Sequence, residues 1–145
     1  DRYRECTTLI LSDENILGQP VPARSGLYYP RRRFRLWRLL RRLPSANVRI
    51  FFAIRAYDSF VSAMYSEIIR HGPFVAPDLY LKQVDVEAFA WRNVIASFVG
   101  LVGAERVTVW RHEDFAAVRD RLFDLLTAGH GECVEAPDQA VKVRL

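Results

Sequence analysis

The sequence predicts an α/β protein built on a parallel sheet with helices on both faces. Short apolar runs rich in β-branched residues alternate along the chain with longer runs whose apolar residues recur at helical spacing. Polar clusters follow the predicted strands at residues 12–14, 55–62 and 111–114. The carboxyl ends of parallel strands meet at one edge of a sheet, so we expect ligands to bind along that edge.

Length and composition indicate one soluble α/β domain over residues 1–145. Half of the 145 residues are hydrophobic, and no stretch is long and apolar enough for a membrane span. The net charge is +4, and nearly all of the positive charge is arginine, which binds planar oxyanions through two parallel hydrogen bonds. We therefore expect an anionic partner.

The cysteines and the first residues bear on the compartment and on metal binding. Cys6 and Cys133 lie far apart, and they are either free thiols or one disulfide bridge. Since no CxxC or Cys/His ligand spacing occurs, we expect no metal site. The first residues lack the apolar run of a signal peptide, and we expect a cytoplasmic protein.

The first half of the chain supplies two strands and a basic helix. Residues 6–12 predict a buried strand, and residues 13–30 predict a long irregular connection. Residues 31–43 predict an amphipathic helix, while residues 48–54 predict a central parallel strand. The helix is expected to carry an apolar face of Phe34, Trp37 and Leu40, with Leu36 and Leu43 nearby, and a separate basic face of Arg31, Arg35, Arg38 and Arg42.

The second half alternates helices with one more strand. Asp58 is the predicted N-cap of a helix that ends near residue 71, and residues 74–82 are interpreted as a loop. Residues 86–99 predict a helix, residues 106–110 a strand, and Asp114 caps a last helix over residues 115–127. The expected core residues of these helices are Val61, Met64, Tyr65, Ile68, Phe89, Val94, Ile95, Phe98, Phe115, Val118, Leu122 and Leu125.

The segment 55–62 is the strongest candidate for a phosphate site. Arg55 leaves the end of a rigid strand, and Ser62 lies one to two turns into the following helix. The start of that helix adds unpaired backbone N–H groups and the positive end of the helix dipole. The alternative is that Arg55 pairs with Asp58 and that Ser62 only packs.

Residues 50–65, IFFAIRAYDSFVSAMY, resemble the 3′-phosphate-binding strand and helix of the sulfotransferase family. The resemblance implies that Arg55 and Ser62 hold the 3′-phosphate of the donor, 3′-phosphoadenosine 5′-phosphosulfate (PAPS). The family's usual Asn-Pro after the arginine is Ala56-Tyr57 here, and the interval between arginine and serine is one residue shorter. Both departures are closer to bacterial sulfotransferase-like proteins.

Two further segments support the same resemblance. Residues 107–115, VTVWRHEDF, are similar to a late strand of the family, and residues 9–14, LILSDE, are similar to the Ser-x-Glu strand end of bacterial members. The resemblance implies a P-loop NTPase-like fold, yet the chain has no GxxxxGK[ST] motif. Either the sequence starts after the P-loop or the protein lacks one; we expect the first, so that the sequence is a fragment of a longer domain.

Glu14 is the candidate general base, because sulfonyl transfer needs a base near the acceptor hydroxyl. The alternative is an ordinary loop carboxylate or a partner of a nearby arginine. Arg111, Glu113 and Asp114 are expected to orient loops. The basic face of the helix over residues 31–43 is a solvated surface, a recruitment site for an acidic substrate or, least favoured, a nucleic-acid site.

The first functional hypothesis is therefore a PAPS-dependent sulfotransferase without a metal ion. The acceptor is a hydroxyl or amine, on a glycan, small molecule or other compound. The second hypothesis is a non-catalytic module that binds a polyanion or nucleic acid. The third is a nucleotide kinase-like enzyme, which needs a Walker lysine that is not found in the sequence.

Overall fold

The computed structural model describes residues 8–13, 15–18, 29–43, 46–72, 74–84 and 90–129. In these ranges the chain is α/β, with five α-helices and two parallel strands, as the sequence predicts. None of the described helices is long and apolar enough to cross a membrane. The elements in chain order are α1 (Arg32–Leu40), β1 (Ile50–Ile54), α2 (Tyr57–His71), α3 (Pro77–Gln83), α4 (Trp91–Val102), β2 (Val107–Arg111) and α5 (Phe115–Leu126).

The described residues fall into two compact units. Ser12–Glu113 form one unit, which holds the sheet and helices α1 to α4. Residues 8–11 and 114–129 belong to the other, which contains α5 with its buried Leu122. The single domain expected from the length of the chain stays a prediction.

The sheet is a parallel pair. β1 and β2 align from Ile50 opposite Val107 to Ile54 opposite Arg111. Three helices, α2 to α4, lie between the two strands along the chain, as a parallel crossover connection requires. The register places Arg55, directly after β1, and Arg111, the last residue of β2, at the same edge of the sheet.

The core of the larger unit forms around α4. Val94 and Phe98 of this helix are fully buried, as the sequence predicts. The ring of Phe52, on β1, meets the rings of Phe98 and Trp91 edge to face, with centroids 5.0 and 5.8 Å apart. Burying a phenylalanine side chain stabilises a fold by about 1.5–3 kcal/mol, so this aromatic cluster joins the sheet firmly to α4.

Helix α1 buries the leucines of its predicted apolar face but not the aromatic residues. Leu36 is buried at 5% exposure, and Leu39 and Leu40 pack against the core beside it. Phe34 and Trp37, which were expected on the same apolar face, are 55% and 42% exposed. The stripe of leucines at helical spacing is the more continuous apolar face, and placing it inward rotates the two aromatic residues outward.

Arg32 attaches α1 to α4. Its Nε donates to Ser97 Oγ at 3.1 Å, and one terminal nitrogen donates to the Asn93 carbonyl at 3.4 Å. Partial burial lowers the pKa of the Arg32 guanidinium from its ordinary value. Arg32 therefore differs from the neighbouring arginines of α1, because it lies along the interface between the helices.

Two segment predictions were wrong. Residues 8–12 form no strand, and Leu9, Ile10 and Leu11 are each more than half exposed; residues 6 and 7 lie outside the described residues. An apolar run becomes a strand only where a neighbour completes its hydrogen bonds, and the described sheet has only β1 and β2. Residues 77–83, expected in a loop, form α3, because Pro77 at its first position and an acidic first turn favour a helix start.

The helix termini also differ from expectation. The N-cap of α2 is Ala56 and not Asp58, which lies in the first turn. Helix α4 continues through Gly100 and ends at Val102, and its C-cap is Gly103, whose φ of 92° lies in the region that favours glycine. Asp114 is the N-cap residue of α5, as predicted.

Candidate functional site

A cleft of about 330 Å³, here called the strand-end cleft, lies where β1 and β2 end. It forms because the chain leaves β1 at Arg55 and enters α2 at Tyr57, while β2 delivers Arg111 to the same edge. Two arginines and one glutamate give its lining side chains a net charge of +1. Its lining residues are Ile54, Arg55, Ala56, Tyr57, Arg111 and Glu113.

Arg55 is oriented by the first turn of α2. Its Nε donates to Ser59 Oγ at 3.1 Å, and the Ser59 hydroxyl donates in turn to the Ala56 carbonyl at 3.1 Å. This bond uses one of the five N–H donors of a guanidinium. Among the described residues, the four donors on the two terminal nitrogens take part in no hydrogen bond.

Trp91 fixes the backbone on which Arg55 stands. Its indole Nε1 donates to the Arg55 carbonyl at 2.8 Å, and its backbone N–H donates to the Tyr57 hydroxyl at 3.1 Å. The Trp91 and Tyr57 rings also stack, with centroids 6.3 Å apart. Sequence reasoning missed Trp91, although a buried tryptophan usually finds an acceptor for its N–H and so signals an anchored backbone.

Glu113 places a carboxylate at the start of α2. Its Oε1 accepts a hydrogen bond from the Ala56 backbone N–H at 2.9 Å. This bond is the main reason that the pKa of Glu113 lies below its ordinary value, and its own backbone amide, His112 and Arg55 add to the effect. Glu113 ties the end of β2 to the start of α2, which fits the loop-orienting role expected from the sequence.

The predicted site residues are only partly brought together. Arg55 lines the cleft, and its side chain bonds Ser59 rather than the Asp58 of the alternative interpretation. Ser62 is exposed on α2, where its hydroxyl donates to the Asp58 carbonyl at 2.8 Å, and it does not line the cleft. The role of Ser62 therefore stays a prediction, and Glu14, Cys6 and Cys133 lie outside the described residues.

The first turn of α2 lies beside two cationic side chains. A helix start carries positive partial charge, and Arg55 and Arg111 flank this one.

In the described ranges no three His, Cys, Asp or Glu side chains lie close enough to hold a metal ion. No protein-family model, no curated protein and no solved structure matches the chain.

Proposed function

We propose that the strand-end cleft binds the 3′-phosphate of PAPS and that the chain is part of a sulfotransferase. The proposed fold is P-loop NTPase-like, with helices on both faces of the sheet. The proposed reaction transfers a sulfonate group from PAPS to a hydroxyl or amine acceptor. No metal ion is needed, because positioning and charge stabilisation carry most of the rate in transfers of this type.

The position of Arg55 is the observation that carries the proposal. Arg55 follows β1 directly, and its Nε is held by Ser59 while its carbonyl is held by Trp91. A guanidinium fixed at both its side chain and its backbone loses little conformational freedom when it binds a phosphate. Arg111, at the end of the neighbouring strand, adds a second cation at the same edge.

Glu113 sets a requirement on the ligand. Its carboxylate occupies the Ala56 N–H, which a phosphate at the start of α2 would also use. The incoming phosphate therefore displaces this carboxylate or binds beside it, close to Arg55 and Arg111. A dianionic phosphate monoester is attracted more strongly to two neighbouring cations than a singly charged ligand is, because the Coulomb energy grows with the charge of the ligand.

The chemical step of the proposal balances without a further reactant. A bond forms between the acceptor atom and sulfur while the bond from sulfur to the bridging phosphate oxygen breaks. The leaving group is 3′-phosphoadenosine 5′-phosphate, and the acceptor proton passes to a general base, for which Glu14 is the candidate. Arg55 acts on the far end of the donor and holds it in place during the transfer.

Calorimetric titration of the full chain with 3′-phosphoadenosine 5′-phosphate tests this site. A lost hydrogen bond to a charged group costs about 1.5–3 kcal/mol, so Arg55→Ala should weaken binding by roughly 10- to 100-fold. Arg49→Ala is the matched control, since Arg49 precedes β1 at the opposite end of the strand and lies over the Phe51 ring. Absence of binding, or equal weakening by both variants, would refute the proposal.

The two serines of α2 can be separated in the same assay. If the resemblance assigns the phosphate contact correctly, Ser62→Ala weakens binding directly, while Ser59→Ala acts only by releasing the Arg55 side chain. Adenosine 5′-monophosphate, which lacks the 3′-phosphate, serves as the comparison ligand. A loss of affinity that is the same for both nucleotides would show that the variant does not report on the 3′-phosphate.

A further inference from the structure

A second basic surface lies along α1, in a groove here called the arginine groove. Its volume is about 470 Å³, and one wall is α1 while the other is the turn at residues 15 and 16. No carboxylate belongs to its described lining. The lining residues are Asn15, Ile16, Arg31, Phe34, Arg35, Arg38, Leu39 and Arg42.

The four arginines of the groove recur at the spacing of one helix face, with Arg35 and Arg38 inside α1 and Arg31 and Arg42 flanking it, and they are here called the arginine row. Positions 31, 35, 38 and 42 follow a spacing of four, three and four, which keeps them within about 60° of one another around a helix. At a rise of 1.5 Å per residue the row extends about 16 Å. Among the described residues Arg31, Arg38 and Arg42 form no ion pair, and the terminal nitrogen of Arg35 donates to the Asn15 carbonyl at 3.2 Å. The row thus presents several cations to a linear ligand.

Two exposed aromatic rings, Phe34 and Trp37, lie on the same helix, and Phe34 is the one that lines the groove. The Phe34 ring stacks with that of Trp37 at a centroid distance of 6.0 Å. The guanidinium of Arg38 lies over the Phe34 ring at 5.9 Å, and that of Arg41 lies over Trp37 at 5.0 Å. Cations interleaved with exposed aromatic rings are what single-stranded nucleic acid requires, because phosphates pair with the cations while bases stack on the rings.

We propose that the arginine groove binds single-stranded nucleic acid without strong sequence preference. The phosphodiester chain lies along Arg31, Arg35, Arg38 and Arg42, and bases stack on Phe34 and Trp37. An acidic polysaccharide would pair with the same arginines, but its saturated sugar rings lack the flat π face with which a base stacks on Phe34 or Trp37. The groove is likewise better suited to a linear chain than to a flat membrane surface. This proposal is independent of the strand-end cleft.

Fluorescence titration of the full chain with a thymidine oligonucleotide of about twelve nucleotides tests the proposal. Four phosphate contacts predict that log K falls with log salt concentration with a slope of about −3. Arg35→Gln/Arg38→Gln should reduce the steepness of that slope by about 1.4. The double variant Arg70→Gln/Arg106→Gln makes the same change in net charge outside the groove and should leave the slope unchanged.

The aromatic pair distinguishes nucleic acid from other polyanions. Base stacking should quench the emission of Trp37, and this quenching should disappear in Trp37→Phe. Replacing both rings by leucine should weaken oligonucleotide binding about tenfold or more while dextran sulfate binding is unchanged. The proposal is overturned if the oligonucleotide does not bind, if its affinity is insensitive to the rings, or if dextran sulfate or phosphatidylserine vesicles bind more tightly at equal charge.

Discussion

The indole N–H of Trp91 is expected to stabilise both the fold and the position of Arg55, and Trp91→Phe removes it. The Nε1 of Trp91 donates to the Arg55 carbonyl at 2.8 Å. A hydrogen bond contributes about 1 kcal/mol net, and a carbonyl left without a donor in a part-buried position costs about 1–3 kcal/mol. We therefore expect the variant to lose about 2 kcal/mol from this bond, which corresponds to a fall in Tm of roughly 6 °C for a domain of this size.

Trp110 offers a matched comparison on β2. Its indole Nε1 is buried but has no hydrogen-bond partner within the described part of the chain. Trp110→Phe removes the same atoms as Trp91→Phe, yet it removes an unsatisfied donor and so should cost less or be neutral. The difference between the two variants isolates the bond from the loss of ring area.

Urea unfolding followed by far-ultraviolet circular dichroism measures both variants without relying on tryptophan emission. The expected result is a lower unfolding free energy for Trp91→Phe than for Trp110→Phe, with equal slopes against urea. Under the proposed function, Trp91→Phe also weakens binding of 3′-phosphoadenosine 5′-phosphate, because the backbone of Arg55 is no longer held. Equal destabilisation by the two variants would refute the assigned role of the Trp91 bond.

Three further predictions concern the backbone, the core and acid stability. Gly103→Ala should destabilise the protein by about 1 kcal/mol or more, because φ at this residue is +92°. Gly100 lies inside α4, where an added Cβ would meet open space, so Gly100→Ala should stabilise the protein by about 0.5–1 kcal/mol. Urea midpoints that move in the same direction for both variants would contradict this. Phe98→Ala should cost about 3–5 kcal/mol, measured by the same unfolding, and a loss below 1 kcal/mol would mean that the core differs from the one described. The pKa of Glu113 is lower in the folded protein than in the unfolded chain, so its carboxylate stabilises the fold above about pH 4.3, where a free glutamate titrates. This stabilisation is lost as the pH falls through the pKa that Glu113 has in the folded protein. Glu113→Gln should therefore show a weaker fall in unfolding free energy on acidification, and a difference from the wild type that is constant with pH would contradict the assignment.

The sequence by itself determined the class of the fold and the position of Arg55, the candidate phosphate-binding residue. Local sequence patterns predicted β1, from its β-branched and aromatic run, and α4, from its periodic apolar residues. The patterns suffice because burial of a continuous apolar face contributes more to the stability of these elements than the propensities of single residues do. Arg55 could be placed at the sheet edge for the same reason, since a strand end is defined by where the apolar run stops.

Only the tertiary structure decided which side chains meet. Leucines and aromatics compete for the buried face of α1, and the choice depends on the shape of α4 and β1, which put Leu36 inside and Phe34 outside. The hydrogen bonds to Ala56 and to the Arg55 carbonyl join residues more than thirty positions apart, so no local pattern could predict them. The sequence thus located the strand-end cleft, whereas long-range contacts made Trp91 and Glu113 part of it.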